Sequence, residues 1–166
     1  MLIDKNTPDF NKQADVVSCF VIDSAHKALF LQRQPHKTSS SKWGPPAGKV
    51  ELSETLGSAM ARELKEETGL SITEDKLIYL GSIAVRHGNF DFEYHIFTTH
   101  LDSPVDIVLN PEEHQASVWS TWKKSFELDL VEDQATIHEM FWRDTLPTKQ
   151  PLAPKYIHRP HLDQPA

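Results

Sequence analysis

Residues 48–70, GKVELSETLGSAMARELKEETGL, hold the segment on which the reading of the whole chain turns. Leu56, Met60 and Leu64 recur at helical spacing, so the segment is expected to form an amphipathic helix. Ser53 or Glu54 can start it, and Thr68-Gly69 stops it, Gly69 suiting a left-handed C-terminal cap. With about 100° of rotation per residue, Met60 lies about 40° and Leu64 about 80° around from Leu56. Glu63 and Glu67 then fall within about 20° of Leu56, and Glu66 about 80° to the other side. Lys65 and Ser58 point away. The carboxylates therefore continue the inward stripe along the C-terminal half of the helix, where core side chains belong.

Glu-rich helix faces are usually solvated, but two features oppose that reading. Like charges three and four residues apart repel, and no Lys or Arg stands four residues beyond Glu63 or Glu66. Carboxylates that lose hydration are tolerated only when paired or bound to metal. A hard divalent cation such as Mg²⁺ or Mn²⁺ meets both demands, because it takes oxygen ligands in an anionic cage.

Working outward, Trp43–Val50 (WGPPAGKV) carries two prolines and two glycines and can only be a short edge strand or a shaped loop. Ala14–Ile22 and Ala28–Gln32 read as two strands joined by the turn DSAHK, and Pro35–Lys42 reads as a polar loop. Lys76–Val85 and Phe90–Leu101 read as a hairpin turning at Arg86-His87-Gly88-Asn89, with Phe90, Phe92, Tyr94 and Ile96 on one face. Val105–Leu109 and Ala116–Trp119 are shorter strand candidates. Glu132–Arg143 is a second expected helix, with Ile137, Met140 and Phe141 at helical spacing. From Leu146 the chain is Pro-rich and should form no regular element. The expected division is an N-terminal segment (1–13), one domain (14–144) and a Pro-rich tail (145–166). Mixed strands with two helices suggest a layered α/β or α+β fold.

The chain has 166 residues, enough to bury a hydrophobic core in one domain. A formal net charge of −7 argues against broad binding to nucleic acid or to anionic membranes, both of which need a basic surface. It does not exclude a small anionic substrate, since a bound cation reverses the local field. Cys19 is the only cysteine, so no intrachain disulfide and no Cys-based zinc cluster is expected. The opening MLIDKNTPDFNKQ has no apolar signal-like core, and no run is long enough to span a bilayer. A soluble, cytoplasmic protein is the expectation.

Residues 48–70 resemble the Nudix box: Gly, five residues, Glu, seven residues, Arg-Glu, an aliphatic residue, any residue, Glu-Glu, any residue, Gly, and an aliphatic residue. Gly48, Glu54, Arg62, Glu63, Leu64, Glu66, Glu67, Gly69 and Leu70 fill every defined position at the correct spacing. The preceding Trp-Gly-Pro-Pro-Ala-Gly is similar to the family's usual lead-in, with Ala47 where many members have Gly. The resemblance implies a Nudix-type α/β/α sandwich around a mixed β-sheet.

It also implies roles. Glu63, Glu66 and Glu67, with the backbone carbonyl of Gly48, would bind Mg²⁺ or Mn²⁺. Arg62 would orient Glu66 and Glu54, and Glu54 would support a metal-bound water. Glu113, favoured slightly over Glu112, resembles a carboxylate outside the box that serves as general base. Arg33 resembles a phosphate-contacting arginine, with Arg86 a weaker candidate. Phe90, Phe92 and Trp43 are candidates for stacking a base, although aromatic residues in strands are more often core. His158 and His161 have helical ligand spacing but lie in the Pro-rich tail and are read as non-functional.

The implied activity is metal-dependent cleavage of the pyrophosphate linkage in a nucleoside diphosphate joined to another moiety. EEHQASVW is similar to a segment of diadenosine tetraphosphate hydrolases, which adds dinucleoside polyphosphates to the candidate substrates. The alternative is a Nudix-fold sensor or adaptor that binds a nucleotide without cutting it; the intact box argues against that. An isomerase of prenyl diphosphates on the same fold typically needs a catalytic cysteine, and Cys19 in an apolar strand reads as core. The expected partner is a small nucleotide, with neither nucleic acid nor membrane. A homodimer stays open, because the tail can drape over the domain or over a partner subunit.

Overall fold

The computed structural model describes residues 1–103 and 105–142. The Pro-rich tail, His158, His161 and Arg143 lie outside the described residues.

The strands are β1 (Leu2–Ile3), β2 (Lys12–Ile22), β3 (Ala28–Arg33), β4 (Trp43–Gly44), β5 (Ala47–Lys49), β6 (Ile78–His87), β7 (Phe90–His100) and β8 (His114–Ser120). They form one mixed sheet ordered β1-β6-β7-β2-β3-β4, with β5 also pairing β2 and β8 pairing β3. β2 is the axis of the sheet. It runs parallel to β7 from Lys12↔Asp91 to Ile22↔His100. Its other edge is shared, β5 taking Val16, Val17 and Ser18 while β3 meets it at Ile22↔Ala28. The sheet therefore splits beside β5, and the split leaves room for a cleft.

Both faces of β2 are covered, which is why ADVVSCFVI lacks polar alternation. Phe20 and Ile22 pack on one face with Phe30, Ile83, Tyr94, Ile96, Ile137 and Phe141. Val17, Cys19 and Val21 pack on the other with Leu29, Leu31, Ala59, Met60, Leu64 and Phe97. Cys19 is fully buried, and burial pushes its thiol well above the ordinary range, as expected of a core residue. The outer layers are α1 (Leu56–Thr68) on one side and, on the other, α3 (Gln134–Ile137) continued by a π-helical turn (His138–Trp142). A short α2 (Trp122–Ser125) follows β8.

The expected helix forms, but neither Ser53 nor Glu54 caps it. Thr55 does: its hydroxyl accepts from Ser58 N at 3.0 Å, and Ser58 Oγ accepts from Thr55 N at 3.0 Å. Ser53 instead adopts a left-handed turn conformation (φ 72°). Gly69 ends the helix with φ 74°, as its sequence position suggests.

Other expectations need correction. Leu2–Ile3, for which the sequence reading names no strand, adds β1 to the sheet through Leu2↔Val85 and Ile3↔Ala84. Val105–Leu109 is not a strand; the backbone N–H groups of Val108 and Asn110 bond the carbonyls of Thr68 and Glu67 at the end of α1 instead. The prolines divide Trp43–Val50 into β4 and β5, so that the segment is strand at both ends and loop between. Glu132 and Asp133 precede the second helix rather than start it, and Asp133 has φ 65°. Among the described residues, no helix is long and apolar enough to cross a membrane.

Candidate active site

The inward stripe of α1 delivers its carboxylates to the split beside β5. Glu67 is 5% exposed, and both its oxygens are held: Ala47 N donates to Oε2 at 2.9 Å, and His114 Nε2 lies 2.7 Å from Oε1. Glu63 lies directly against Gly48; a Cβ at that glycine would fall 2.0 Å from the Glu63 carboxyl carbon. Any side chain at residue 48 would thus displace a carboxylate. Glu66 is the outer member, with its side chain 56% exposed.

Arg62 ties this group together. Its Nε and Nη2 fork onto Glu54 at 2.8 and 3.0 Å, and Nη2 also donates to the carbonyl of Lys49 at 3.0 Å. Its Nη1 reaches Glu63 Oε1 at 2.8 Å and Glu66 Oε2 at 3.2 Å. The relief that the spacing denied on the C-terminal side of each glutamate comes from the N-terminal side. The Arg62 guanidinium holds the Glu54 carboxyl down to about 2. Glu63 moves the other way: burial raises its pKa, Arg62 opposes the rise, and the charges of Glu67 and Glu66 add to it. One guanidinium does not neutralise the cluster. Glu63, Glu66 and Glu67 line the same cleft beside the Gly48 cradle, and carboxylate oxygens are the donors that a hard divalent cation takes.

These groups line one end of a cleft of about 960 Å³. Arg33, Lys37 and Glu113 also line it, as do Val85, Phe90, Phe92 and Tyr94. Lys37 Nζ pairs with Glu113 Oε1 at 2.7 Å, and Arg33 Nε donates to the carbonyl of Thr38 at 2.7 Å. The ammonium of Lys49 sits 5.0 Å above the Phe90 ring. The structure therefore brings Gly48, Arg62, Glu63, Glu66, Glu67, Glu113, Arg33, Phe90 and Phe92 to a single cleft, with Glu54 behind Arg62.

Three candidates lie elsewhere. Glu112 is exposed, its N–H turned to Asn110 Oδ1, and it does not line the cleft. Trp43 is half-buried and packs against the core cluster that holds Phe30 and Ile137. Arg86 is committed to Asp91 at 2.7 and 2.8 Å and to Asp9 Oδ2 at 2.8 Å, which fastens the N-terminal segment to the β6–β7 hairpin. Asp91 is correspondingly held down to about 2 by Arg86.

His114, Lys37, Lys49 and Tyr94 have places at the site that the sequence reading did not assign. The only local signal for His114 was its position after the glutamate pair; its contact with Glu67 spans 47 residues. A second carboxylate–imidazole group, Asp15, Glu93 and His95, clusters on the α1 face of the sheet. The Lys12 ammonium lies 3.0 Å from Asp15 and 3.8 Å from Glu93, so a cationic side chain of the protein already serves that group.

The family model described as NUDIX domain matches residues 12–141. The m7GpppN-mRNA hydrolase of Danio rerio is 30% identical over 129 residues, covering 66% of this chain and 42% of that protein. This chain thus spans less than half the length of that relative. The CTP pyrophosphohydrolase of Escherichia coli K12 is 28% identical over 132 residues, covering 78% of this chain and 92% of that protein. Among solved structures, the MutT protein of Methanosarcina mazei Go1 superposes with a TM-score of 0.70 at 24% identity, over 80% of this chain and 94% of that one.

Proposed function

Since the chain belongs to the NUDIX family, we propose that it is a metal-dependent hydrolase of the pyrophosphate linkage in a nucleoside diphosphate joined to another group. The observation that carries this reading is the presence of Glu63, Glu66 and Glu67 in the lining of one cleft, with Gly48 held bare against Glu63. These three carboxylates and the Gly48 carbonyl would hold Mg²⁺ or Mn²⁺. When bound, the cation neutralises phosphate oxygens and acidifies water.

The remaining chemistry belongs to the chain's own groups. Arg62 keeps Glu54, Glu63 and Glu66 in fixed directions, so that little reorganisation accompanies substrate entry. Arg33 and Lys37 present positive charge to the phosphates. Glu113, restrained by Lys37, takes the proton of the attacking water as its oxygen bonds to phosphorus, and the bridging P–O bond opens in line to release the second phosphate. Phe90 and Phe92 offer a stacking surface for a base. The relative matched over nearly its whole length, a pyrophosphohydrolase of CTP, supports a mononucleotide substrate.

Glu67→Gln tests the reading. It preserves shape but removes a charge held by Ala47 and His114. Screened with Mg²⁺ and Mn²⁺ against nucleoside triphosphates, nucleotide sugars and dinucleoside polyphosphates, the wild type should release phosphate or pyrophosphate. The variant should lose at least about 100-fold in kcat. Wild-type turnover by the variant would refute the assignment, and nucleotide binding without turnover by the wild type would favour the sensor reading.

A further inference from the structure

Two turns of the same build are joined beside the cleft. Gln34-Pro35-His36-Lys37 follows β3 and is closed by Lys37 N, which donates to the Gln34 carbonyl at 3.1 Å. Asn110-Pro111-Glu112-Glu113 precedes β8 and is closed by Glu113 N, which donates to the Asn110 carbonyl at 3.1 Å. Each has proline at its second position, where a fixed φ suits a turn. The β3–β8 ladder brings the two together. Its register slips between Gln32↔Ala116 and Arg33↔His114, and Gln34 N then donates to the Glu113 carbonyl at 2.9 Å.

The Gln34 side chain completes the join. Its Nε2 donates to the Pro111 carbonyl at 2.7 Å and to the His114 carbonyl at 3.3 Å. Serving two carbonyls takes a group with two hydrogens, which a primary amide has. One residue thus holds the second turn at Pro111, Glu113 and His114. The same turn is also fastened to α1, since Asn110 N donates to the Glu67 carbonyl at 3.3 Å. Lys37, from the first turn, holds the Glu113 carboxylate at 2.7 Å.

Lys37 alone does not keep Glu113 in place through the proposed reaction, because it lines the cleft and presents its charge to the phosphates. Gln34 is not among the described residues that line the cleft. We propose that Gln34 is the positioning residue of Glu113. It fixes the 110–114 turn against the end of β3, so that the carboxylate keeps its place when Lys37 engages substrate. A base must stay within hydrogen-bond reach of the water it deprotonates, and a misplacement of about 1 Å costs about 100-fold in rate. The effect on rate rests on the function proposed above and on Glu113 as its base; the clamp on the turn does not.

Gln34→Met tests the proposal, since it keeps the length of the side chain and removes both donor hydrogens. In the full chain without metal or nucleotide, the Glu113 and His114 amide hydrogens should exchange at least about 10-fold faster, two bonds that hold their turn being lost. Amides of β2 should keep their rates. The kinetic arm uses Mg²⁺ and whichever nucleoside triphosphate, nucleotide sugar or dinucleoside polyphosphate the wild type hydrolyses fastest. There kcat should fall at least about 10-fold with KM little changed. Gln34→Lys, which restores a donor, should recover most of both losses. Added to Glu113→Gln, Gln34→Met should cost no further rate, because it acts through that carboxylate. Unchanged exchange, unchanged kcat, or a loss that adds in full to that of Glu113→Gln would overturn the proposal. Should Gln34→Met not fold, Gln34→Asn makes the same test, its amide ending one carbon short. A wild type without turnover, or Glu113→Gln as fast as the wild type, would sink the function or the base proposed above, and exchange would then decide the clamp by itself.

Discussion

Gly48→Ala places the sharpest demand on the proposed metal site. The methyl carbon would sit 2.0 Å from the Glu63 carboxyl carbon and 2.1 and 2.3 Å from its two oxygens. To move from 2.0 Å to ordinary contact near 3.4 Å, the carboxylate must withdraw by about 1.4 Å. That shift disturbs the 2.8 Å bond from Arg62 Nη1 and moves the Glu63 oxygens from their present positions. Gly48 is not among the glycines with positive φ, so alanine is compatible with the backbone of β5. The fold gains what alanine normally gains over glycine in a strand, about 0.5–1 kcal/mol, less the cost of swinging Glu63 outward. Stability should therefore change by no more than about 1 kcal/mol. A misplacement of about 1 Å at a catalytic constellation costs about 100-fold in rate, so kcat/KM should fall by at least that much, and half-saturation should need more Mg²⁺. Phosphate release at graded Mg²⁺, alongside denaturant unfolding of the metal-free protein, separates the two effects. Full activity at unchanged Mg²⁺ requirement in Gly48→Ala would refute the placement of the metal site against Gly48. A large loss of stability would refute the claim that the cradle is functional rather than structural.

Three further outcomes are expected. Arg62→Lys keeps the charge but loses the two-point grip on Glu54, so metal affinity should weaken about 10- to 100-fold; an unchanged Mn²⁺ titration would count against an orienting role. Phe90→Ala should raise KM at least about fivefold if a base stacks there, taking about 1–3 kcal/mol per stacked base, with kcat little changed; equal KM values would remove Phe90 from the binding surface. The pH dependence of stability has a definite sign: Asp91 is lowered from 3.8 to about 2 by Arg86, so its contribution is present above the unfolded value and lost as pH falls towards about 2. Thermal melts across that window should show a smaller acid loss in Asp91→Asn than in the wild type, and parallel curves would contradict the Arg86 pairing.

Much of the carboxylate part of the cleft was legible in residues 48–70. A helix makes its hydrogen bonds within four residues, so the angular positions of Leu56, Met60, Glu63 and Glu67 follow from spacing alone. Even there the cap was misread: Ser53 and Glu54 are both plausible by composition, but only the Thr55 hydroxyl meets Ser58 N. The rest of the cleft was less legible. Phe90, Phe92 and Trp43 are equivalent by composition, yet the first two line the cleft while the Trp43 side chain packs half-buried against the core. Arg33 and Arg86 are equivalent by charge, yet Asp9 and Asp91 claim the second.

The sequence by itself determined the helix, the family resemblance and the inward direction of Glu63 and Glu67, because each is written in residues a few positions apart. Only the tertiary structure decided what completes the site. His114 meets Glu67 across 47 positions, and Lys37 meets Glu113 across 76. Val105–Leu109 gave up a strand to bond the end of α1, and Leu2–Ile3 gained one at the sheet edge. Such pairings depend on which strand edges and buried polar groups are left open once the two cores have packed. That is a property of the assembled layers, and no local period encodes it.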